Sequence, residues 1–246
     1  MARIIAALIR HGDYHQLENT PSAWQPFPLN EAGKTHARLA AESIRDSLIK
    51  QNWFLHSDCD SSQMLRAWQT AEIICDRLKD KDFFANKNAH NLNQVSNIKI
   101  NSFDALAERS VGSAANLNIS QIEEIIHNDP RFESLPKKWK SNSYFCLPLQ
   151  GAESLMDSGK RVADHVIKTM SELQKSVTQP TLKLFVGHGA AFRHAAYHLG
   201  IMSFKQIAQL SMYHGQPLFI ELLEDGSWVH IAGQWKVRGE TSSYTD

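Results

Sequence analysis

The sequence predicts an α/β fold: a three-layer sandwich with a mainly parallel central sheet, helices on both faces, one antiparallel edge strand and a lid-like insertion. Residues 4–9 form a continuous apolar run, which is typical of a parallel strand covered on both faces. Residues 181–186 indicate a further strand. Residues 218–223 and 228–231 flank Glu224-Asp225-Gly226, a pattern typical of a β-hairpin. This hairpin would supply the antiparallel edge.

The helices are predicted from apolar residues that recur at every third or fourth position. Asn30 is placed to cap a helix whose apolar period runs to Leu48. The other elements are a strand over residues 53–60, a helix capped by Ser61-Ser62 with a period running to Leu78, a helix over 154–173 and a helix over 190–199 that ends at Gly200. Strands and helices therefore alternate, as they do in parallel sheets.

We expect a single domain over residues 1–246. Residues 79–150 differ in character: they are rich in asparagine and turn residues, with a short apolar stretch near 98–103 and a capping box over Ser120-Gln121-Ile122-Glu123. A long irregular segment of this kind predicts a lid or insertion. Residues 236–246 are polar without an apolar period, which predicts a flexible tail.

The charge balance argues against nucleic-acid and membrane partners, because lysine plus arginine and aspartate plus glutamate each total 26. The three cysteines, Cys59, Cys75 and Cys146, are far apart and include no C-x-x-C pair, which favours a reduced, cytoplasmic setting. The apolar run near the start is too short for a signal peptide or a membrane span. We therefore expect a soluble cytoplasmic protein, and the sequence leaves open whether it forms a homo-oligomer.

Two similar tripeptides follow predicted strands. Arg10-His11-Gly12 comes after the first strand, and Gly187-His188-Gly189 comes after residues 181–186. Because the carboxyl ends of parallel strands converge on one edge of a sheet, where ligands bind, we expect the two histidines to face each other. Helices that start near Ser62 and Gly189 would add backbone N–H donors and positive dipole ends. These features predict a site for an oxyanion.

With these elements the chain resembles the histidine phosphatase superfamily, which has the phosphoglycerate mutase-like fold. The motifs that carry the resemblance occur in the family's order and span nearly the whole chain. They are residues 8–12 (LIRHG), 29–33 (LNEAG), 62–71 (SQMLRAWQTA), 106–112 (LAERSVG) and 186–189 (VGHG). Arg-His-Gly alone would be a weak signal, but ordered motifs at suitable distances are specific.

The resemblance implies a phosphohistidine mechanism. His11 would attack phosphorus as a neutral imidazole, and water or a second substrate would later discharge the phosphohistidine. The residues implied to bind the substrate and its phosphoryl oxygens are Arg10, Arg66, His188, Gly189 and Ser62. Arginine suits this task because its planar fork can bind two oxygens at once. Arginines and imidazoles would supply the positive charge, so we expect neither a metal nor a cofactor.

The resemblance makes Glu108 the general acid that protonates the leaving alkoxide and then the base that activates water, a role that typically contributes about a hundredfold to ten-thousandfold. Asp104, Glu123 and Glu124 are other carboxylates in the same stretch, so the alignment leaves them as alternatives.

Two further groups have two interpretations each. His194 and His198 are four residues apart on one predicted helix, as in a metal-binding pair, but they lack a nearby carboxylate motif and a helix-surface position is preferred. Residues 137–140 (KKWK) form a basic cluster around a tryptophan, which would either face solvent or reach an acidic substrate from a lid.

Within this family the chain could be a phosphatase, a mutase or a bisphosphatase. Ala190 stands where phosphoglycerate mutases typically have asparagine, and residues 13–24 do not reproduce the mutase pattern. We therefore favour a metal-independent phosphatase that acts on a small phosphorylated metabolite. The alternative is a cofactor-dependent phosphoglycerate mutase-type phosphoryl transfer, and a non-catalytic phosphate-binding protein is the third hypothesis.

Overall fold

The computed structural model of the chain describes residues 2–84 and 97–239. The strands are β1 (Ile4–Arg10), β2 (Phe54–Ser62), β3 (Lys99–Phe103), β4 (Thr181–Gly187), β5 (Leu210–Ser211), β6 (Leu218–Leu222), β7 (Trp228–Ala232) and β8 (Lys236–Val237). The helices are α1 (Glu31–Gln51), α2 (Leu65–Lys79), α3 (Ile119–Asn128), α4 (Leu155–Ser176), α5 (Gly189–His198) and α6 (Phe204–Gln209).

The main sheet has six strands in the order β3-β2-β4-β1-β6-β7. The first four strands in this order are parallel to one another, whereas β6 is antiparallel to both β1 and β7. The predicted fold class is confirmed. The β6–β7 hairpin forms the antiparallel edge, and β1 lies inside the sheet with all seven of its residues buried.

Helices cover both faces of the sheet. Ile5 and Ile9 of β1 pack into one apolar cluster with α1 and α2, and Ile4 and Leu8 pack into another with α4 and α5. Successive side chains on a strand point to opposite faces, so a strand between two helical layers needs apolar residues at every position. Each large side chain buried in this way contributes roughly 1.5–3 kcal/mol relative to an exposed one.

The predicted cap of α1, Asn30, is confirmed, and the predicted cap of α2 is wrong. The Asn30 side chain accepts a hydrogen bond from the Gly33 N–H, and Ser154 caps α4 through a capping box with Asp157. Ser62, by contrast, is the last residue of β2, where it pairs with Phe103 of β3. Because this long-range pairing extends the strand, α2 begins only at Leu65, after an N-cap without a side-chain hydrogen bond.

The predicted insertion over residues 79–150 is not wholly separate from the sheet. Lys99–Phe103 forms β3, the edge strand that pairs in parallel with residues 58–62 of β2. The part of the insertion that lies outside the sheet therefore begins after β3, and its role as a lid stays a prediction. Most of the asparagines that characterised this stretch fall in residues 85–96, outside the described residues.

The part of the insertion that follows β3 has an apolar cluster of its own. Its buried members are Ala23, Val111, Ala114, Ile122, Trp139 and Leu147. The capping box of α3 is formed by Asn118 and Gln121. The prediction of a box starting at Ser120 was wrong, because Ser120 lies inside the helix that Asn118 caps.

The start of the predicted C-terminal tail belongs to the fold. Lys236–Val237 forms β8, which pairs antiparallel with β5, and the Arg238 N–H donates to the Gln209 carbonyl over 2.8 Å. Residues 240–246 of the predicted tail lie outside the described residues.

Within residues 2–84 and 97–239, no helix is both long and apolar enough to cross a membrane. The cytoplasmic location stays a prediction.

Candidate active site

The carboxyl ends of β1 and β4 bring the two predicted histidines together. Arg10 is in register with Gly187, and the His11 N–H donates to the Gly187 carbonyl over 2.9 Å. The rings of His11 and His188 lie edge to face with their centroids 5.0 Å apart. The convergence of parallel strand ends at one edge of the sheet accounts for this arrangement.

The hydrogen-bond partners of His11 assign its tautomer. Nδ1 lies 2.7 Å from the Gly12 carbonyl oxygen and must donate to it, because a carbonyl only accepts. Nε2 accepts a hydrogen bond from Arg66 Nε–H over 3.2 Å. The lone pair of Nε2 is therefore directed toward the arginine.

Arg66, which is fully buried, is held by carbonyl oxygens of the segment that follows β1. Nη1 donates to the Gln25 carbonyl over 3.0 Å, and Nη2 donates to the carbonyls of Ser22 (2.5 Å) and Ala23 (3.2 Å). The guanidinium carbon also lies 4.5 Å from the centroid of the Tyr14 ring, within the range of a cation–π contact. These contacts fix the position of the positive charge and do not neutralise it.

His188 and Ser62 form the next link. Arg66 Nη2 donates to His188 Nδ1 over 3.3 Å, so His188 Nε2 carries the proton and donates to Ser62 Oγ over 2.9 Å. The same hydroxyl oxygen accepts from the Met64 N–H over 3.2 Å. The contacts of Ser62 thus orient His188, and its direct contact with a substrate stays a prediction.

Arg10 completes the positive cluster. Its Nη1 donates to the Met212 carbonyl over 3.0 Å. A Cβ at Gly189 would lie 2.9 Å from Arg10 Cδ, so glycine at this position leaves room for the arginine beside the start of α5. Because α5 begins at Gly189, its positive dipole end faces the same region.

The loop after β1 is fixed by the residues of the second and third motifs. A Cβ on Gly12 would overlap the Gly33 carbonyl, and one on Gly33 would overlap the Asp13 carbonyl, so both positions require glycine. Asn30 Nδ2 donates to Asp13 Oδ2 over 2.9 Å. The Gly12 N–H donates to Thr70 Oγ1 over 3.0 Å. These contacts explain why the motifs occur together.

Glu108 lies in a narrow cleft between the insertion, the segment that follows β1 and the first turns of α4 and α5. The cleft is lined by Pro21, Ser22, Ala23, Glu108, Arg109, Lys140, Leu155 and Ala190. One carboxylate oxygen of Glu108 accepts from the Arg109 N–H over 2.9 Å. Lys140, one of the cations in the 137–140 cluster, also lines this cleft.

The alternative carboxylates lie elsewhere. Asp104 is hydrogen-bonded to Gln63 outside the cleft, and Glu123 accepts from the Trp139 indole N–H over 3.1 Å. Glu124 borders a different surface depression, beside Asp129 and Arg131. Of the four carboxylates considered, Glu108 is therefore the one in the cleft.

The surroundings of both histidines favour neutral rings. Burial lowers the pKa of His11 well below its usual range, and the charges of Arg66, His188, His214 and Arg10 lower it further. Burial likewise lowers the pKa of His188 well below its usual range, with Arg66 acting in the same direction. A neutral His11 has the lone pair that a nucleophile needs.

Sequence reasoning missed His214. Its Nδ1 donates to the His11 carbonyl over 2.7 Å, and its ring centroid lies 5.5 Å from that of His11. The His214 ring also stacks on His36 at a centroid distance of 5.8 Å. A signal did exist, because His214-Gly215 is a third His-Gly pair in the sequence.

His194 and His198 do not act as a pair. His194 is buried, which contradicts the expected surface position, and its two ring nitrogens bond to the Ala190 carbonyl (2.8 Å) and to Ser143 Oγ (3.1 Å). His198 Nε2 donates to the Met156 carbonyl over 3.1 Å. The described residues contain no group of three or more histidine, cysteine or acidic side chains placed to hold a metal.

Fold and site together define a class: α/β proteins with two facing histidines and two arginines at the carboxyl edge of a parallel sheet. The family model of the histidine phosphatase superfamily (branch 1) matches residues 6–83, which include Arg10, His11 and Arg66. This match confirms the resemblance of the sequence motifs to the histidine phosphatase superfamily.

The chain is similar to curated phosphoglycerate mutases and to solved structures of a mutase and a phosphatase. It is 25% identical to the 2,3-bisphosphoglycerate-dependent phosphoglycerate mutase of Parvibaculum lavamentivorans, over 92% of this chain and 93% of that protein. The phosphoglycerate mutase of Bacillus anthracis has the same fold, with a TM-score of 0.66 and 17% identity over 94% of this chain and 92% of the other. A mycobacterial glucosyl-3-phosphoglycerate phosphatase gives a TM-score of 0.59 and 20% identity over 96% of this chain and 98% of the other.

Proposed function

We propose that the protein is a phosphatase that hydrolyses a small phosphorylated metabolite through a phosphohistidine on His11. The observation that carries the proposal is the neutral His11 ring, whose Nδ1 is held by the Gly12 carbonyl while Nε2 is directed at Arg66. Phosphatases among the solved structures of the same fold support it.

In the first step the Nε2 lone pair forms the N–P bond while the P–O bond to the leaving group breaks. Arg10, Arg66 and His188 offset the charge that develops on the phosphoryl oxygens. Because Arg66 Nε points at Nε2 before substrate binds, it can pass its hydrogen bond to a phosphoryl oxygen at the reacting centre. Removing one such donor typically costs a factor of about 10²–10³.

Glu108 acts on the leaving side. In its protonated form it donates its proton to the departing alkoxide, which leaves as an alcohol. The resulting carboxylate then takes a proton from water as the water oxygen attacks phosphorus, the N–P bond breaks and phosphate leaves. The position of Glu108 in the cleft supports this role.

The mutase alternative is favoured by a separate observation. Curated relatives along most of the chain are named 2,3-bisphosphoglycerate-dependent phosphoglycerate mutases. In that reaction a hydroxyl of a phosphoglycerate, in place of water, would accept the phosphoryl group. Ala190 argues for hydrolysis, because it lines the cleft with a methyl group at the position where the mutases typically have a polar amide.

The proposed reaction needs no metal, since arginine and imidazole groups supply the positive charge around the phosphoryl group. We expect phosphate release from phosphomonoesters to continue in the presence of EDTA. Loss of activity on chelation, with recovery on adding a divalent cation, would contradict this part of the proposal.

The proposal is tested with a panel of phosphomonoesters that includes p-nitrophenyl phosphate, with phosphate release as the readout. His11→Ala should abolish turnover and acid-labile labelling from the substrate phosphoryl group. His127→Ala, on the exposed side of α3, is the control. Turnover by His11→Ala would overturn the proposal, and no turnover by the native protein on any substrate would favour the phosphate-binding hypothesis.

The mutase alternative is tested by supplying 3-phosphoglycerate with catalytic 2,3-bisphosphoglycerate. Efficient formation of 2-phosphoglycerate, faster than phosphate release, would replace hydrolysis by phosphoryl transfer as the main reaction.

A further inference from the structure

Arg161, on the second turn of α4, contacts the short segment that leads into Glu108. Its Nη1 donates to the carbonyl oxygens of Asp104 and Ala105, each over 3.0 Å. Nη1 and Nη2 both also lie 3.3 Å from the Ala107 carbonyl. One guanidinium thus binds three carbonyls within the four residues that precede Glu108.

Glu153 holds the backbone that follows Glu108 in the chain. It forms an ion pair with Arg161, with 2.6 Å between Oε1 and Nη2. The same Oε1 accepts from the Ser110 N–H over 3.0 Å, and the Glu153 N–H donates to the Ser110 carbonyl over 3.1 Å. The backbone is therefore anchored both before and after Glu108.

The chemistry of the contact suits arginine alone. Several carbonyls that converge on one point need several donors in a fixed planar arrangement, which a guanidinium has and an ammonium lacks. The side chains of Arg161 and Glu153 are only 28% and 21% exposed, so their charge-assisted hydrogen bonds are shielded from solvent more than those of a surface pair.

We infer that Arg161, braced by Glu153, is the positioning residue for the general acid Glu108. This inference rests on the proposed function. Arg161 is not among the residues that line the cleft, so it acts through the backbone of residues 104–110. A displacement of about 1 Å in a reacting group can cost roughly a hundredfold in rate, so loosening this segment should impair proton donation.

Arg161 has a second influence on the site, because its positive charge is one of the groups that lower the pKa of His188. The two influences can be separated by the leaving group. His188 acts on the phosphoryl oxygens that every substrate shares, whereas Glu108 matters most when the leaving group needs a proton. Only a loss through Glu108 depends on the leaving group.

The test compares kcat/KM for an alkyl phosphate and for p-nitrophenyl phosphate, because this ratio reports steps up to transfer of the phosphoryl group. The variants are Arg161→Met, Arg161→Lys and the control Lys160→Met. Lys160 is the adjacent residue of α4 and pairs with Asp164 on the exposed surface over 2.7 Å.

Arg161→Met should lower kcat/KM about a hundredfold on the alkyl phosphate and less than about tenfold on the aryl phosphate. Arg161→Lys should also lower kcat/KM more on the alkyl phosphate than on the aryl phosphate, because an ammonium cannot donate to all three carbonyls at once. This variant supplies the test if Arg161→Met fails to fold. Lys160→Met should change neither value by more than about twofold. Equal losses on both substrates would overturn the inference.

A double-mutant cycle tests whether the loss caused by Arg161→Met passes through Glu108. In a Glu108→Gln background, Arg161→Met should lower alkyl phosphate turnover by less than about tenfold, as on the aryl phosphate, since the acid it positions is already gone and only its influence on His188 remains. Losses that multiply would show that Arg161 acts by another route and would overturn the inference.

Hydrogen exchange separates this inference from the proposed function. The Ser110 amide should exchange faster in Arg161→Met and should be unchanged in Lys160→Met, whether or not a substrate is known. If the native protein hydrolyses none of the substrates, the proposed function fails, and the positioning of a general acid by Arg161 fails with it. Faster exchange of the Ser110 amide in Arg161→Met would still establish that Arg161 anchors the backbone of residues 104–110. Unchanged Ser110 exchange in both Arg161 variants would overturn the anchoring itself.

Discussion

Among single residues, Arg66 connects the largest number of the groups at the site. Its Nε contacts His11, its Nη1 contacts the Gln25 carbonyl, and its Nη2 contacts His188 and the Ser22 carbonyl. Arg66 is buried on α2 and contacts both histidines, so it connects the end of β1, where His11 lies, with the end of β4, where His188 lies. A residue that looks like an ordinary helix cation in sequence is thus central to the site.

Arg66→Lys keeps the charge but loses the fork, so we expect kcat/KM to fall about a hundredfold on every phosphomonoester. The carbonyls left without a donor should also reduce the free energy of unfolding by about 1–3 kcal/mol. Steady-state kinetics and urea unfolding measure the two effects, with Arg38→Lys on the exposed side of α1 as the control. Unchanged kinetics would show that the guanidinium does not contact the phosphoryl group.

Sequence reasoning at this scale could propose candidate residues whose chemistry would lie in their side chains. The structure brings Arg10, His11, Arg66 and His188 together, and their roles in binding and catalysis stay predictions. Sequence reasoning did not identify the acceptor for His11 Nδ1, because that acceptor is a backbone carbonyl and every residue has one. Carbonyl contacts depend on where the chain passes, which residue type does not reveal.

At the scale of elements, three local signals are confirmed, whereas the box predicted at Ser120 and a boundary set by long-range pairing were wrong. The β1 run, the Asn30 cap and the β6–β7 hairpin depend on neighbours in sequence, and all three are confirmed. The end of β2 depends instead on pairing with β3, some forty residues away in the chain, and there Ser62 was wrongly given to a helix start.

The contact between the β1 loop and the start of α1 is a backbone contact with no room for a side chain. Gly33→Ala would place a methyl group against the Asp13 carbonyl, so we expect a loss of about 1–3 kcal/mol in the free energy of unfolding. The displaced loop carries His11, so activity should fall as well. Urea denaturation measures the free energy of unfolding of Gly33→Ala and of the control Gly239→Ala, where a Cβ meets no atom within 4 Å. Equal stability of the two variants would contradict this account.

At the scale of the whole molecule, the layers could be predicted but the placement of the insertion could not. Alternating strands and helices with apolar strand cores are enough to specify a covered parallel sheet. The insertion reaches the site through an apolar cluster in which Ala23 packs with Val111 and Trp139, a contact between distant parts of the chain. The sequence signals for it were the motif around Glu108 and the basic cluster at residues 137–140, of which Lys140 lines the cleft.

Buried histidines should make the whole fold sensitive to acid. Burial lowers the pKa of His194 to about 4, and it lowers those of His11 and His188 in the same direction. Between these values and the unfolded pKa of about 6.5, the unfolded chain binds protons that the folded chain does not, so stability falls as pH falls through this window. For His194 alone the loss amounts to about 3 kcal/mol by pH 4.

This dependence can be measured by urea unfolding at several pH values between 7 and 4. His194→Gln removes one of the titrating rings, so its free energy of unfolding should decline less steeply with falling pH than that of the native protein. The same slope in both proteins would show that His194 is not protonated preferentially in the unfolded state.

The hydrogen bond from His11 Nδ1 to the Gly12 carbonyl has a consequence for regiochemistry. With Nδ1 engaged inside the fold and Nε2 directed at Arg66, the two possible phosphohistidine isomers are not equally accessible. Trapped enzyme should carry the τ isomer, with phosphorus on the nitrogen remote from the backbone, and isomer-specific antibodies or ³¹P NMR would detect it. The π isomer would require the loop after β1 to release His11 and turn its ring over before every turnover.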